Sequence, residues 1–373
     1  MFYSTHTPPQ RQMSNLVKSA SVIQSVDWFV MNTTRRRFVT GLAAPLILKA
    51  TDKAGTRKPI LGEGAHKYEV THDWGELPAS IKYGNTHGVC EDSHGRIYIH
   101  HTVNASSESS DSMVVFDHKG KFIKSWGKEF KGGAHGLHIR KEDGHEFLYL
   151  CDTQRGLVVK TTLTGEEVFT IRYPNESEQY KPDAAGKRPK YSPTNLAVAA
   201  NGDFYVGDGY GSSYINQYNR NGQYIRTFGG VGKDPGQINC PHGLMVDTRG
   251  GGQVLIVADR TNRRLQRFTL DGKHIDFVTG VNLPCHFHTF KNGDMVVPDL
   301  AARVTLMDRD NKVIAHLGED PSDTWRKMRV EPRDKFVPGK FICPHSACFD
   351  HDGNIFVVEW VEIGRVTKLR KVG

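Results

Sequence analysis

The chain has 373 residues, of which 38% are apolar and 10% aromatic, and its mean hydropathy is −0.49. This composition excludes a wholly disordered protein, and its 38 glycines and 17 prolines favour many short elements joined by turns over a long helical bundle. Residues 1–50 hold six basic residues and one acid, so five of the eight net positive charges lie there. The body has no long Lys/Arg run, so nucleic acid is not the expected partner.

The first 50 residues have the features of a leader. Arg35 and Arg36 precede a short apolar stretch, residues 41–48, which is far below the ~20 residues needed to span a bilayer. The pattern resembles a twin-arginine export signal, with Met31 as an alternative start; the other interpretation is a basic segment that stays in the cytoplasm. We therefore expect a leader at 1–50, a linker at 51–65, and a periplasmic or extracellular protein without stable membrane insertion.

From residue 66 onward the chain repeats one unit of four short strands. In the fourth unit, residues 241–247, 254–259 and 264–268 read as three strands, and a turn at 271–273 leads to a fourth. The same unit recurs at spacings of 48, 59, 48, 44 and 59 residues. Six such units predict an all-β fold, a six-bladed β-propeller over residues 66–373. We number the blades 1 to 6 in chain order.

Two features concern the regularity of this ring. The last unit stops after its third strand at 365–369, and residues 67–75 resemble an unattached fourth strand, which predicts that this segment completes blade 6. Pro298 falls within the second strand of blade 5 and cannot donate a ladder hydrogen bond, so we expect a local irregularity there.

Histidine marks the start of the first strands, which line the channel of a propeller. Five of the six equivalent positions are histidine, and the exception is Thr194 in blade 3. The five are His87, His135, His242, His286 and His345. One such histidine is more often structural, but converging neutral imidazoles favour a divalent metal, and three imidazoles with one open position are typical of catalytic zinc.

Cysteine clusters at the same positions. Cys240, Cys285 and Cys343 lie one or two residues before histidines, which would suit a closed, structural Cys/His site. Neighbouring strand residues point to opposite faces, so packing beside the site is the preferred interpretation of these thiols. The six cysteines have no close-spaced framework, so we expect mostly structural or free thiols.

Two loop residues stand out against the repeat. Tyr210 follows the second strand of blade 3 and Arg260 that of blade 4, on the side of the channel mouth. Tyr210 could act as an acid or base if a metal lowers its pKa, and Arg260 suits a carboxylate through paired hydrogen bonds. Both could equally be ordinary surface loop residues.

The segments 193–198, 207–210, 241–244 and 257–260 together resemble propellers with NHL-type repeats, and among them the peptidyl-α-hydroxyglycine α-amidating lyases. The resemblance covers about residues 66–373. It implies a zinc ion on His135, His242 and His345, a tyrosine at Tyr210 acting on the substrate, and Arg260 holding the substrate carboxylate. The implied reaction cleaves a C–N bond in a small or peptide α-hydroxyglycine substrate, giving an amide and glyoxylate.

The chain departs from that family pattern at several positions. His101 stands where the family has a blade-1 arginine, and Ser346 replaces an acid, which weakens a structural calcium site. The family's disulfide positions are occupied by non-cysteine residues, namely Tyr191 with Gly211 and Ile256 with Arg267. His87 and His286 enlarge the ring beyond three histidines, which would suit a changed substrate or another metal such as copper or iron.

Three functions therefore remain open. The first is a zinc-dependent lyase acting on an α-hydroxyglycine-type substrate. The second is another metal-dependent hydrolase or lactonase that uses an activated water in the same channel. The third is a non-enzymatic propeller whose rim binds protein or polysaccharide, with the histidines holding a structural ion. The fold alone does not choose among them.

Overall fold

The computed structural model describes residues 58–373. The predicted leader, its twin-arginine motif and the first part of the predicted linker lie outside the described residues. Within the described range, no helix combines the length and apolar character needed to cross a membrane.

The described chain forms six antiparallel sheets, which confirms the predicted all-β, six-bladed propeller. Blades 1 to 5 consist of β3–β6, β7–β10, β11–β14, β15–β18 and β19–β22, and blade 6 of β23–β25 with β2 and β1. In chain order the strands are β1 (Ile60–Leu61), β2 (Tyr68–His72), β3 (Thr86–Glu91), β4 (Ile97–His101), β5 (Met113–Phe116), β6 (Phe122–Trp126), β7 (Ala134–Glu142), β8 (His145–Asp152), β9 (Leu157–Thr162), β10 (Glu167–Ile171), β11 (Asn195–Val198), β12 (Phe204–Gly207), β13 (Tyr214–Tyr218), β14 (Tyr224–Gly229), β15 (Pro241–Asp247), β16 (Val254–Asp259), β17 (Arg264–Phe268), β18 (His274–Val278), β19 (His288–Thr289), β20 (Met295–Asp299), β21 (Arg303–Met307), β22 (Val313–Leu317), β23 (Pro344–Phe349), β24 (Ile355–Glu359) and β25 (Arg365–Lys371). The helices are short, with one α-helix at Trp325–Met328 and 3-10 turns at Gly64–His66, Lys128–Phe130, Glu178–Tyr180 and Arg333–Lys335.

The hydrophobic core lies between neighbouring blades. The second strands are nearly continuous apolar runs, and all five residues of β24 are buried, because both faces of each sheet pack against other blades. One cluster joins Val114 of blade 1 to Val358 of blade 6, and another joins Leu306 of blade 5 to Leu369 of blade 6. This packing fixes the radial position of each first strand, and so the position of its first side chain in the channel.

The N-terminal strand closes the ring, as predicted. β2 pairs antiparallel with β25, from Tyr68 opposite Lys371 to His72 opposite Thr367. β1, at Ile60–Leu61 within the segment assigned to the linker, pairs in turn with β2. Blade 6 therefore has five strands, two of which come from the start of the described chain.

Replacing Tyr68 with alanine should destabilise this closure. Tyr68 is 1% exposed and packs in the core between blades 5 and 6, so we expect the free energy of unfolding to fall by about 3–5 kcal/mol, as for other large aromatic truncations. Ile60 is 52% exposed, and Ile60→Ala should change stability by less than about 0.5 kcal/mol. Chemical denaturation of both variants measures the difference, and equal losses would show that β2 does not clamp the ring.

Blade 5 is irregular, but the irregularity falls on its first strand. β20 keeps a regular register with β21 through Pro298, which lies opposite Val304. The Pro298 carbonyl accepts the N–H of Cys285 at 3.0 Å. The backbone nitrogen of Pro298 points to the same strand but carries no hydrogen to donate. The return hydrogen bond to Cys285 cannot form, and β19 is reduced to two residues.

Candidate metal centre

β-Bulges set the direction of the channel histidines. The first strands of blades 1, 2, 4 and 6 each shift register beside their histidine, between Thr86 and Gly88, Ala134 and Leu137, Pro241 and Leu244, and Pro344 and Ser346. A bulge leaves one residue outside the ladder and re-aims its side chain. The regular β11–β12 pairing of blade 3 has no such shift, and its equivalent residue is Thr194.

Three of the predicted histidines form a compact triangle, here called the histidine triad. The ring centroids of His135 and His242 are 4.9 Å apart, and each is 4.7 Å from the centroid of His345. The three come from alternate blades 2, 4 and 6. Residues more than 200 positions apart in sequence thus meet in the channel.

Backbone carbonyls of the intervening blades hold each triad ring. The Nδ1–H of His135 donates to the Thr194 carbonyl at 2.6 Å, that of His242 to the Cys285 carbonyl at 2.8 Å, and that of His345 to the His87 carbonyl at 2.9 Å. These bonds place the proton on Nδ1 and leave a lone pair on Nε2. The carbonyls of Thr194 and His87 fill the same role although their strands pair with no proline, so this acceptor does not depend on Pro298.

Burial keeps the triad neutral. It lowers the pKa of His135 to about 3, and together with the nearby Arg260 it lowers the pKa of His242 well below its usual value. Burial, reinforced by His135, has the same effect on His345. Neutral imidazoles with free Nε2 lone pairs are the form in which histidine binds metal ions, so the donor set fits a divalent ion at neutral pH.

Tyr210 reaches the triad from the loop after β12. Its hydroxyl lies 3.2 Å from Nε2 of His135 and 3.0 Å from Nε2 of His242. Burial raises the pKa of Tyr210 to about 12, although the adjacent Arg260 opposes this shift. The phenol is therefore protonated and stands where a ligand of the triad would lie, which excludes the surface-loop interpretation of this residue.

Arg260 follows β16 and lies over Tyr210. Its guanidinium donates to the Tyr210 hydroxyl at 3.3 Å and is 5.2 Å from the ring centroid. Arg260 is half-buried, yet it takes part in none of the ion pairs formed within residues 58–373, and its neighbour Asp259 pairs with Arg264. A half-buried guanidinium with one long hydrogen bond retains donors for an anion.

Two further donors flank the triad. Within the described residues, the donor atoms of His87, His135 and His345 all lie within 4.8 Å of one another. The same holds for the donor atoms of Cys285, His242 and His345. Nδ1 of His87 is 3.3 Å from Nε2 of His345. Burial raises the pKa of the Cys285 thiol to about 12, against the opposing effect of Arg260. These buried groups could hold a metal ion together with the triad.

His286 does not join this cluster of donors. Its Nδ1 contacts the hydroxyl of Ser346 at 3.2 Å. It lines a cavity of about 720 Å³ at the opposite ends of the first strands, together with His138 and His288. His286 was predicted as a fifth ring member, but it lies one residue beyond the ring position of blade 5, which Cys285 occupies. Its imidazole contacts Ser346 instead.

His101 does not supply the positive charge that an arginine would. Its Nδ1 accepts the N–H of Val103 at 3.1 Å, and its ring packs edge-on against Tyr83. Burial lowers the pKa of His101 to about 3, so the imidazole is neutral. Of the residues predicted for the site, Arg260 is therefore the one that carries a positive charge beside the triad.

All six cysteines are unpaired and buried. Sequence reasoning favoured packing roles for Cys240, Cys285 and Cys343, and it did not single out Cys285 as the thiol closest to the histidines. A signal was available: when the prolines of blades 4, 5 and 6 are aligned, the residue after the proline is histidine in blades 4 and 6 and Cys285 in blade 5. Sequence reasoning also missed the carbonyl of Thr194, because a backbone acceptor has no sequence signature.

The fold and the site together define a six-bladed β-propeller with a buried histidine cluster in its channel. In sequence, the chain is 30% identical over 291 residues to peptidyl-alpha-hydroxyglycine alpha-amidating lyase 1 of Drosophila melanogaster, covering 70% of this chain and 51% of that protein. It is 27% identical over 275 residues to lyase 2 of the same organism, covering 71% and 61%. The chain thus resembles peptidyl-α-hydroxyglycine α-amidating lyases and spans half to three-fifths of these relatives.

Solved structures agree on the fold. A streptogramin B lyase superposes with a TM-score of 0.53 over 83% of this chain and 99% of the other, at 13% sequence identity. At that identity the similarity concerns the propeller alone. No family model matches the chain.

Proposed function

We propose that this chain is a zinc-dependent carbon–nitrogen lyase that converts an α-hydroxyglycine-type substrate into an amide and glyoxylate. The observation that carries the proposal is the juxtaposition of Arg260, a half-buried cation without a carboxylate partner, with the Tyr210 hydroxyl and two imidazole lone pairs. One small site thus offers a carboxylate anchor, a proton-transfer group and metal donors. The resemblance to the amidating lyases supports the same reaction class.

His135, His242 and His345 would hold the ion through Nε2. A divalent ion in a site with an open position polarises a hydroxyl ligand and makes its proton more acidic. The carbonyls of Thr194, Cys285 and His87 fix the orientation of the three rings, and small side-chain movements would bring the three Nε2 atoms around one ion.

Tyr210 is positioned to move the proton. In the reaction the substrate hydroxyl loses its proton, the C–N bond breaks, and the departing amide nitrogen gains a proton. The phenol oxygen can accept the first proton while its own proton passes to the nitrogen, so that Tyr210 is restored and one proton has moved from oxygen to nitrogen. The burial that keeps Tyr210 protonated suits this relay.

Arg260 would bind the glycine-derived carboxylate. A guanidinium can form two parallel hydrogen bonds to a carboxylate, which fix the substrate in position and in orientation. Because the same guanidinium contacts the Tyr210 hydroxyl, the anchored carboxylate would lie next to the proton-transfer group. The adjacent carbinol carbon would then lie within the site.

The direct test uses the full chain loaded with zinc and α-hydroxyhippurate as substrate. We expect equimolar benzamide and glyoxylate, released well above the rate without enzyme and above that of metal-stripped protein. Release of benzoate would indicate hydrolysis of the amide bond and contradict the lyase. Absence of any product with a fully loaded site would reject the proposed substrate class.

The Arg260→Ala variant should lose its affinity for carboxylate substrates. Removing one partner of a buried charge pair costs at least about 2 kcal/mol, so we expect KM for α-hydroxyhippurate to rise about 30-fold or more. Steady-state kinetics measure this change. A substrate analogue with a neutral amide in place of the carboxylate is the control, because its KM should be the same for both proteins.

Arg220→Ala is the matched protein control, since Arg220 is an exposed arginine that pairs with Asp143 far from the triad. It should leave both constants unchanged. An unchanged KM for α-hydroxyhippurate in Arg260→Ala would remove Arg260 from the carboxylate site.

A further inference from the structure

We propose that Cys285 is a fourth protein ligand of the metal ion in the substrate-free protein, bound as a thiolate beside the histidine triad. This inference rests on the metal site of the proposed function. It adds a sulfur donor to a site that otherwise contains only nitrogen.

The distances support this assignment. The Sγ atom of Cys285 and ring nitrogens of His242 and His345 all lie within 4.8 Å of one another, close enough to share one ion after small side-chain rotations. Cys285 is completely buried. Of the six buried cysteines, it is the one whose sulfur joins a triple of donors within residues 58–373.

Blade 5 explains why this cysteine differs from Cys240 and Cys343. In blades 4 and 6 a proline follows the cysteine, and the residue after this proline is histidine. In blade 5 the equivalent proline is Pro284, which lies opposite Asp299, and the residue after it is Cys285, which therefore stands where blades 4 and 6 have the channel histidine. Its carbonyl already orients His242, and its backbone is held by the N–H bond to Pro298. The Cys285 side chain is therefore anchored at the edge of the triad.

The thiol gives up little on binding a metal. It contacts the Leu283 carbonyl at 3.5 Å, which is a weak interaction because S–H is a poor donor. The thiol also lies beside the Arg260 guanidinium, whose positive charge favours the thiolate. His87, the other flanking donor, already has its Nδ1 against Nε2 of His345 at 3.3 Å. Cys285 is thus the less committed of the two flanking donors.

The proton and charge balance is simple. The S–H bond breaks, a sulfur–metal bond forms, and the proton leaves to solvent, with no change of oxidation state. His135, His242, His345 and Cys285 would hold the ion in the substrate-free protein. With substrate bound, the Cys285 sulfur would give up its place to the substrate hydroxyl and take up a proton again, and Arg260 would bind the substrate carboxylate.

X-ray absorption of the zinc-loaded full chain tests the inference without any variant. We expect one sulfur scatterer at about 2.3 Å together with nitrogen scatterers at about 2.0–2.1 Å. A site with about one zinc per chain and no sulfur scatterer would overturn the assignment of Cys285 and leave the histidine triad intact.

Cobalt substitution identifies which cysteine is bound. With Co²⁺ in large excess, the wild-type chain should show a sulfur-to-cobalt charge-transfer absorption. Under the same conditions Cys285→Ser should lose the absorption while the histidine triad still binds about one cobalt. Cys151→Ala removes a buried thiol of blade 2 and should retain the absorption. Retention of the absorption in Cys285→Ser, or its loss in Cys343→Ser instead, would overturn the proposal.

These outcomes also separate the inference from the proposed function. Failure of Cys285 as a ligand leaves metal content and glyoxylate release unaffected. Failure of the metal site itself appears as less than one metal per wild-type chain, and this result overturns both.

Discussion

His242→Ala should lose most of the metal bound by the wild-type chain. The variant removes one of the three Nε2 donors of the triad, and it leaves the Cys285 carbonyl without the N–H that it accepts. The Tyr210 hydroxyl keeps its contacts with His135 and Arg260. Changes to groups that merely orient ligands cost about 10- to 100-fold in metal affinity, so loss of a ligand should exceed about 100-fold. Elemental analysis after dialysis against a weak chelator measures the loss.

Thr194→Ala is the control for this loss, because Thr194 occupies the equivalent repeat position in blade 3. The variant removes the γ-methyl and the hydroxyl, which donates to the Pro241 carbonyl at 2.8 Å, and it retains the backbone carbonyl that holds His135. It should keep about one metal per chain. Equal metal retention in the two variants would reject the histidine triad as the binding site.

Tyr210→Phe should lower kcat by about 10²- to 10⁴-fold, the usual contribution of a positioned acid or base. The variant keeps the aromatic ring but removes the hydroxyl that lies between His135 and His242. Because Tyr210 is not one of the triad donors, metal content should remain near one per chain. Single-turnover and steady-state rates of glyoxylate release measure the effect.

Tyr214→Phe provides a matched control on the same blade, since Tyr214 packs against Tyr180 in the aromatic cluster away from the triad. It should leave kcat unchanged. A wild-type rate in Tyr210→Phe would exclude Tyr210 from proton transfer, and loss of metal in that variant would show that its effect is indirect.

Much of the propeller was predictable because it follows from local pattern. Each blade is a run of short strands and turns, and the repeat spacing shows how many blades there are. Tyr68 to His72 could be recognised as a closing strand because blade 6 lacked one. The triad could be predicted for the same reason, because a ring of blades brings equivalent repeat positions together however distant they are in sequence.

The effect of Pro298 on the fold could be predicted only in part from the sequence. The missing N–H was evident from the sequence, but which neighbouring strand would lose a hydrogen bond depends on the side to which that bond points. The structure shows that it points to the first strand, where β19 has two residues. The carbonyl of Cys285, which precedes β19, accepts the Nδ1–H of His242.

The number of blades, the closing strand and the triad histidines of the channel could be predicted from the sequence, because these features depend on periodicity along the chain. Three contacts are seen only in the tertiary structure. His286 bonds to Ser346, Tyr210 lies between His135 and His242, and Cys285 lies beside the triad. These contacts join different blades, and their geometry is set by bulges and by the packing between sheets. Such contacts do not produce a regular residue spacing in the sequence, so they could not be inferred from it.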